Sequence, residues 1–203
     1  MTTKEKILDI ALTLFSTQGY DAVSIRDIGK QVGIKESSIY NHFINKQAIF
    51  DGILELCQNH MMNHYKDLNL DQTLKGDFEI YDKISLDVLT NIALEHFSFY
   101  VSDSIMFRYR RLLTLEQFRN PAISSIYRDL FINQPIQFQN RLFQFLIERK
   151  ALRSDDTESM AYDFYAPIFL MICRYDDLDE EAQRVLRKHI KHFVEKYAPT
   201  DPE

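Results

Sequence analysis

Residues Val23–Phe50 read VSIRDIGKQVGIKESSIYNHFINKQAIF, and this stretch decides the fold of the N-terminal part of the chain. Its first apolar residues recur at the three-to-four-residue spacing of a buried helical face, namely Ile25, Ile28 and Val32. Gly33 then supplies a tight turn that a side chain would obstruct. The pattern predicts two short helices joined at this glycine, with a third helix that opens directly after Phe43.

The second of these helices separates an apolar back from a polar front. The back consists of Ile34, Ile39 and Phe43. The front consists of Lys35, Glu36, Ser38, Asn41 and His42. A two-turn helix with a buried back and a hydrogen-bonding front suits the major groove of DNA. DNA recognition is therefore the leading functional interpretation of the sequence.

Three short motifs resemble the N-terminal domain of the TetR family of bacterial transcriptional regulators. They are Ser24-Ile25-Arg26-Asp27-Ile28, Val32-Gly33-Ile34, and Tyr40-Asn41-His42-Phe43 followed by Asn45-Lys46. The resemblance implies an all-α fold with a three-helix helix-turn-helix DNA-binding domain over residues 1–46. Residues 47–203 are then expected to form a helical-bundle domain for ligand binding and dimerisation.

The resemblance also implies roles for single residues. Arg26, Tyr40, His42 and Lys46 stand where family members commonly contact backbone phosphates, and Arg26 where some contact a base. Two structural alternatives stay open. Tyr40 is also suited to packing against the first helix, and His42 to a partly buried hinge before the next one.

Side-chain chemistry predicts the remaining contacts. Ser24 and the unpaired amides that open the second helix suit a phosphate, because the helix dipole favours an anion there. Lys35 matches guanine acceptors, Asn41 matches adenine, and Glu36 matches the cytosine amino group. Ser38 is expected to approach a base edge as well.

Three positions depart from the family pattern. Lys35 stands where family members often place Ser or Thr, so a side-chain cap worth about 1 kcal/mol is expected to be missing. Glu36 stands where a neutral or basic residue is more usual, and it is expected to narrow the set of acceptable DNA sequences. Gly29 replaces the usual alanine and is expected to weaken its helix slightly. None of these departures removes the predicted fold.

The charge of the chain is unevenly distributed. The net charge is −6, yet residues 1–50 hold six Lys or Arg against five Asp or Glu. Arg26, Lys30, Lys35 and Lys46 can therefore meet phosphates locally, while an acidic remainder discourages indiscriminate binding. We expect modest non-specific DNA affinity with a clear salt dependence.

Motif searches set limits on other functions. The sequence contains no GxSxG, HExxH, GxxxxGK[ST] or GxGxxG motif, so we predict that the chain is not an enzyme and needs no cofactor. No apolar run approaches membrane-spanning length, and residues 1–15 are too charged for a secretion signal. Cys57 and Cys173 lie far apart, as expected of reduced, mostly buried thiols in a cytoplasmic protein.

Apolar periodicity predicts about nine helices, with a bend or break at Pro135 and a loop-like connection over residues 67–80. The expected helix ends are Gly19 as the stop of the first helix, Ser24 with Asp27 as the capping box of the second, and Asn45 as the cap of the fourth. The last two helices, over about 155–175 and 179–197, are unusually apolar. Two such helices from each of two chains would close a four-helix bundle, so we predict a homodimer through them. The alternative is a monomer in which these helices are internal core.

Two patterns within residues 47–203 are compatible with ligand or metal binding. Aromatic residues are dense over residues 97–118, which fits either a filled core or a small-molecule site. His60 with His64, and His189 with His192, have spacings that permit metal binding, but no third ligand accompanies them, so surface histidines are the preferred interpretation. No ligand or metal residue is therefore assigned.

The resulting hypothesis is a cytoplasmic, homodimeric TetR-like regulator that binds a palindromic double-stranded DNA operator. It is expected to be a repressor, released by a small-molecule effector bound in the C-terminal domain. The alternative is an activator or architectural DNA-binding protein with no effector.

Overall fold

A computed structural model describes residues 1–70, 72–82 and 85–199 of the 203-residue chain. The α-helices of this described part are α1 (Thr3–Gln18), α2 (Ile25–Val32), α3 (Glu36–Ile39), α4 (Lys46–Asp67), α5 (Leu86–Val101), α6 (Ser104–Glu116), α7 (Pro121–Arg128), α8 (Gln134–Glu148), α9 (Thr157–Arg174) and α10 (Glu180–Lys196). Two 3-10 turns, Thr73–Lys75 and Glu79–Tyr81, lie between α4 and α5. No strand occurs in these ranges, and the predicted all-α fold is confirmed.

A single π-helical turn, Asp129–Asn133, joins α7 to α8. The two helices therefore form one continuous run, and counted in this way the described residues contain nine helices. The helix does not break at Pro135, because this residue falls in the first turn of α8, where a missing N–H is tolerated, and the irregular π turn lies before it. Pro167 lies inside α9 without ending it, which the apolar periodicity did not predict.

The chain packs into two compact units, Met1–His64 with Ser104–Tyr127, and Tyr65–Asp103 with Arg128–Glu203. Unit 1 therefore contains α1 to α3, most of α4, and α6 with α7. Unit 2 contains α5 and α8 to α10. None of the helices within the described ranges is both long and apolar enough to cross a membrane.

Unit 1 is built around α1, which packs against both α2 and α6. Each helix contributes fully buried side chains to one core, among them Ile7, Phe15, Ile28, Ile39, Ile49, Ile53, Leu112 and Leu113. Phe15, Tyr20 and Phe50 form an aromatic trio with ring centroids 5.2 to 6.3 Å apart. The periodicity that predicted these helices thus identifies their inward faces.

Short polar side chains fix where the helices of unit 1 begin and end. Ser24 and Asp27 form the predicted reciprocal capping box of α2, and Asn45 accepts a hydrogen bond from Ala48 N–H at 2.8 Å at the start of α4. Gly19 and Gly33 end α1 and α2 with φ of 85° and 83°. These four predictions are confirmed.

Unit 2 holds a second core, in which α8 packs against α9, and α10 against α5 and α9. Aromatic rings fill its centre: the Phe143 and Phe193 rings are stacked with centroids 5.1 Å apart, and Phe164 meets Phe193 edge-on at 4.8 Å. Tyr165 Oη donates a hydrogen bond to the Phe131 carbonyl in the π turn at 2.9 Å. The apolar stripe of α10 is buried within this unit through Ala182, Leu186, Ile190 and Phe193.

Two predictions about burial need correction. His189 is half-buried and one of its ring nitrogens is 2.8 Å from the Phe164 carbonyl oxygen, so it is not a solvated surface histidine. His60 and His64 are also half-buried, and His192 alone of the four is exposed. Cys57 is buried as expected, whereas Cys173 is exposed, because it faces outward from α9.

Candidate DNA-binding surface

The helix α3 is shorter than the sequence suggests, with one turn where two were expected. The Ile39 carbonyl accepts hydrogen bonds from both the His42 and Phe43 amides, at 2.8 and 3.0 Å. This shared acceptor tightens the chain into a turn that returns Phe43 to the core. The polar front is therefore split between a helical turn, Glu36–Ile39, and the turn that follows it.

The two faces of this segment differ sharply in exposure. On the back, Ile39 is fully buried and Phe43 is 6% exposed. On the front, Lys35, Glu36, Asn41 and His42 are exposed, Ser38 is partly exposed, and Tyr40 is 49% exposed. The predicted front thus points away from the core of unit 1.

The side chains of this front make no hydrogen bond or ion pair with any residue in the described ranges. This holds for Lys35, Glu36, Ser38, Tyr40, Asn41 and His42, and for Arg26 on α2. Their donors and acceptors face solvent. Because such groups need not break an internal bond first, they are available to a polar partner.

The start of α2 combines a helix terminus with an ionised carboxylate. The Ser24 hydroxyl accepts from Asp27 N–H at 3.1 Å and donates to the Asp27 carboxylate at 2.5 Å. Hydrogen bonds from the Ser24 side chain and backbone lower the pKa of Asp27. Among the described groups none accepts from the Ile25 and Arg26 amides, so these two N–H groups remain for an anion.

Lys46 differs from the rest of the predicted site. Its ammonium donates hydrogen bonds to the Tyr20 carbonyl at 2.7 Å and the Val23 carbonyl at 2.8 Å, and lies 4.2 Å from the centre of the Tyr20 ring. Two of its three donors thus hold the turn between α1 and α2. A phosphate contact by Lys46 stays a prediction and would use its third donor.

Gly29 lies in close contact with the turn that leads into α3. A Cβ on Gly29 would lie 3.1 Å from the Ile34 carbonyl oxygen and 3.4 Å from Ile39 Cδ1. The glycine expected to weaken α2 therefore lets the turn approach the helix closely. Lys35, as expected, makes no side-chain cap for α3.

Two side chains of α6 that were not predicted from the sequence bond to α1 and to the turn that follows it. The Arg108 guanidinium pairs with the Asp9 carboxylate at 2.8 Å and donates to the Thr13 hydroxyl at 2.6 Å. The buried Glu116 carboxylate accepts from Tyr20 N–H at 2.8 Å. Helical spacing could have indicated Glu116, because it continues the buried stripe of Tyr109, Leu112 and Leu113.

Comparison with known proteins gives this surface a context. The family of bacterial regulatory proteins named tetR matches residues 7–53. The biofilm operon icaADBC negative transcriptional regulator IcaR of Staphylococcus aureus (strain Newman) is 32% identical over 151 residues, which cover 70% of this chain and 80% of that protein. The chain belongs to the TetR family.

Two further proteins are similar to this chain, one in sequence and one in fold. The IcaR protein of Staphylococcus epidermidis is 38% identical over 90 residues, a match that spans 42% of this chain and 46% of that protein. A transcriptional regulator from Saccharomonospora viridis, solved in complex with choline, has a TM-score of 0.63 at 19% identity, with 95% of each chain covered. The latter match shows the fold.

Membership of the TetR family makes this chain a DNA-binding transcriptional regulator, as the motifs of Val23–Phe50 predict. The matched residues 7–53 contain α2, α3 and the whole polar front. Within the described ranges, no group of three or more His, Cys, Asp or Glu side chains is arranged to hold a metal ion.

Proposed function

We propose that this TetR-family chain is a homodimeric repressor that binds a palindromic operator through α3 and the start of α2. A small molecule bound in the C-terminal domain, residues 47–203, would release it. The observation that carries the proposal is the split in exposure across α3: Ile39 is fully buried, while the hydrogen-bonding side chains of the front are outward and make no bond with described residues.

The contacts divide by chemistry. Lys35, Glu36, Ser38 and Asn41 read base edges, since they carry the donors and acceptors that discriminate base pairs in the major groove. Backbone phosphates are held by the residues around them, namely Ser24, Arg26, Tyr40, His42 and Lys46. For Ser24, a phosphate contact means exchanging its hydroxyl bond to Asp27, or offering the Ile25 and Arg26 amides beside it.

Dimerisation through the last two helices is supported by an apolar row on α9. Tyr162, Ala166 and Leu170 are spaced four residues apart and are all exposed, Tyr162 by 51% and Leu170 by 66%. The outward side of α10 is charged instead. We therefore assign the centre of the interface to α9 and its polar rim to α10.

The effector proposal draws on the interior of unit 2. The His96 ring centroid lies 5.5 Å from that of Tyr65 and 5.0 Å from that of Tyr100. Burial raises the pKa of Tyr65 well above its usual range and that of Tyr81 to about 12, so both remain neutral phenols. Aromatic walls with a few polar groups are typical of small-molecule sites.

The named relatives support repression, rather than activation, of target genes. The Staphylococcus aureus relative is a negative transcriptional regulator, and the Saccharomonospora viridis regulator was solved with choline. By analogy, this cytoplasmic chain would repress its target genes and respond to a small organic ligand.

Selection of bound DNA from a random pool tests the proposal. We expect a palindrome whose half-sites lie one helical turn apart, because two heads of a twofold dimer meet the same face of the duplex. Arg26→Ala should weaken all selected sequences alike and reduce the salt slope by about 1. Recovery of no palindrome, or of sequences no better than the starting pool, would contradict the proposal.

A reporter gene behind the selected operator distinguishes repression from activation. We expect expression to fall when the chain is supplied and to recover with an effector found by thermal-shift screening of small molecules. Expression that rises instead would replace the repressor with the alternative activator.

A further inference from the structure

Glu116 ends α6 with a carboxylate that is 2% exposed. It accepts a hydrogen bond from Tyr20 N–H, at 2.8 Å, in the turn between α1 and α2. Taking a carboxylate out of water costs free energy, so a buried one requires a specific bonding partner. Here the partner is the Tyr20 backbone N–H, which lies in the turn before α2 of the proposed DNA-binding surface.

From Tyr20, a series of hydrogen bonds continues to α2. The Tyr20 carbonyl accepts from the Lys46 ammonium at 2.7 Å, and the same ammonium donates to the Val23 carbonyl at 2.8 Å. Val23 precedes Ser24, the cap of α2. Glu116 is thus joined through three hydrogen bonds to the helix start that offers the Ile25 and Arg26 amides.

The Glu116 carboxylate is tightly packed against the turn between α1 and α2. Gly19, next to Tyr20, has φ 85°, and a Cβ there would lie 3.1 Å from Glu116 Oε1. A second anchor holds the other end of α6, where Arg108 pairs with Asp9 at 2.8 Å. The two anchors are eight residues apart, about 12 Å along the helix, so α6 grips α1 and the following turn at two points.

We propose that Glu116 is a positioning residue for DNA binding: it sets the α1–α2 turn, and with it the phosphate-binding start of α2. A movement of α6 would then shift the start of α2 through the hydrogen bonds of Glu116, Tyr20 and Lys46. The inference rests on the proposed DNA surface.

The test measures affinity for the selected operator with the full-length chain carrying Glu116→Ala. We expect a loss of about tenfold and faster hydrogen exchange at the Tyr20 amide, because that N–H loses its acceptor. Glu116→Gln keeps an acceptor oxygen in place and should restore affinity to within about threefold of wild type. Wild-type affinity for Glu116→Ala would overturn the proposal.

Leu112→Ala is the matched control, since Leu112 is fully buried in α6, one turn before Glu116. It should lower the melting temperature while changing operator affinity by less than about threefold. An equal loss of affinity in Leu112→Ala would reduce Glu116 to a general stabiliser and overturn its positioning role. If Glu116→Ala does not fold, Glu116→Asp decides, because it withdraws the carboxylate by one methylene: weaker binding supports the role, and wild-type binding overturns it.

A double variant with Lys46→Met tests the path itself. If both residues act through Tyr20, their combined loss of affinity will be smaller than the product of the single losses. Losses that multiply would show independent action and overturn the path. If the wild-type chain selects no operator, both the proposed function and this inference are wrong. If it binds an operator and the Glu116 variants bind that operator with unchanged affinity, only this inference is wrong.

Discussion

The helices α3 and α9 each have one packed side and one outward side, but their outward sides have opposite chemistry. On α3 and the residues that flank it, the outward groups are hydrogen-bonding side chains such as Glu36, Lys35 and Asn41, which make no bonds with described residues. On α9 they are Tyr162, Ala166 and Leu170. A polar front suits a hydrated polyanion, whereas an apolar row suits a protein surface that excludes water. The chemistry of the outward side of each helix therefore indicates which kind of partner it binds.

The largest expected effect comes from reversing the chemistry of α9. Leu170→Glu should weaken dimerisation by about 3–6 kcal/mol, since each of two symmetry-related leucines contributes about 1.5–3 kcal/mol when buried. Sedimentation at several protein concentrations measures this. Leu115→Glu is the matched control, because Leu115 is an exposed leucine on α6. A Leu170→Glu chain that dimerises as tightly as wild type would remove α9 from the interface.

Breaking the back of α3 should have the next largest effect. Ile39→Ala should destabilise the chain by about 2–5 kcal/mol, because it deletes fully buried methyl and methylene groups from unit 1. Denaturant unfolding gives the free energy, and the exposed neighbour Ser37 provides the control Ser37→Ala. A loss below 1 kcal/mol would mean that the back is not packed as described.

Removing one side chain of the polar front should alter recognition without altering the fold. Asn41→Ala should cost about 1–3 kcal/mol at a single base position and little elsewhere, because one amide reads one base pair. Operator selection with the variant measures the change. Asn59→Ala is the matched control, since Asn59 is an exposed asparagine on α4, about 20 Å along that helix from Lys46. A uniform loss across sequences would make Asn41 a phosphate contact instead.

The turn that presents the front should show a smaller, backbone effect. Gly33 adopts φ 83° and ψ 30°, and a Cβ there would have no atom within 4 Å. Gly33→Ala should therefore cost about 1 kcal/mol from the left-handed conformation alone, and Gly33→Asn less, because asparagine tolerates that region. Thermal melting compares the two variants. Equal melting temperatures for all three chains would contradict this reading of the turn.

The smallest effect concerns the link from α9 to α10. The Asp163 carboxylate accepts from the Lys196 ammonium at 2.5 Å and the Tyr197 hydroxyl at 2.7 Å. These bonds, the Lys196 bond first, lower the pKa of Asp163. Its contribution to stability is therefore complete above the unfolded pKa and is lost as pH falls through the lower folded value.

Asp163→Asn should accordingly flatten the acid side of the stability curve by a small amount, because the carboxylate is about half exposed and its ion pair is screened. Thermal melting from about pH 2 to pH 7 measures this, with Asp87→Asn as an exposed control on the same unit. A wild-type slope in Asp163→Asn would show that other carboxyl groups set the acid limit.

The sequence predicted most of unit 1 because its signals are local. Ser24 and Asp27, which are three residues apart, form the capping box of α2. Gly33 ends the same helix by its own backbone conformation. The apolar back of α3 follows from spacing alone. Such features depend on neighbours within one or two helical turns, which the order of residues states directly.

Long-range bonds escaped prediction for the opposite reason. Lys46 binds carbonyls 23 and 26 residues earlier, and Glu116 binds an amide 96 residues earlier. A lysine near a DNA-binding helix looks the same in sequence whether its ammonium faces phosphate or backbone. For the same reason, the sequence could not decide that the stripe of α10 is internal while part of α9 remains outward.

By itself, the sequence determined the family, the helical fold and the polar front, because each follows from residue type and short-range spacing. Tertiary structure alone decided which charged groups are bonded internally and which remain available to a partner. Pairing a charge depends on which helices meet in space, and chain order does not specify that.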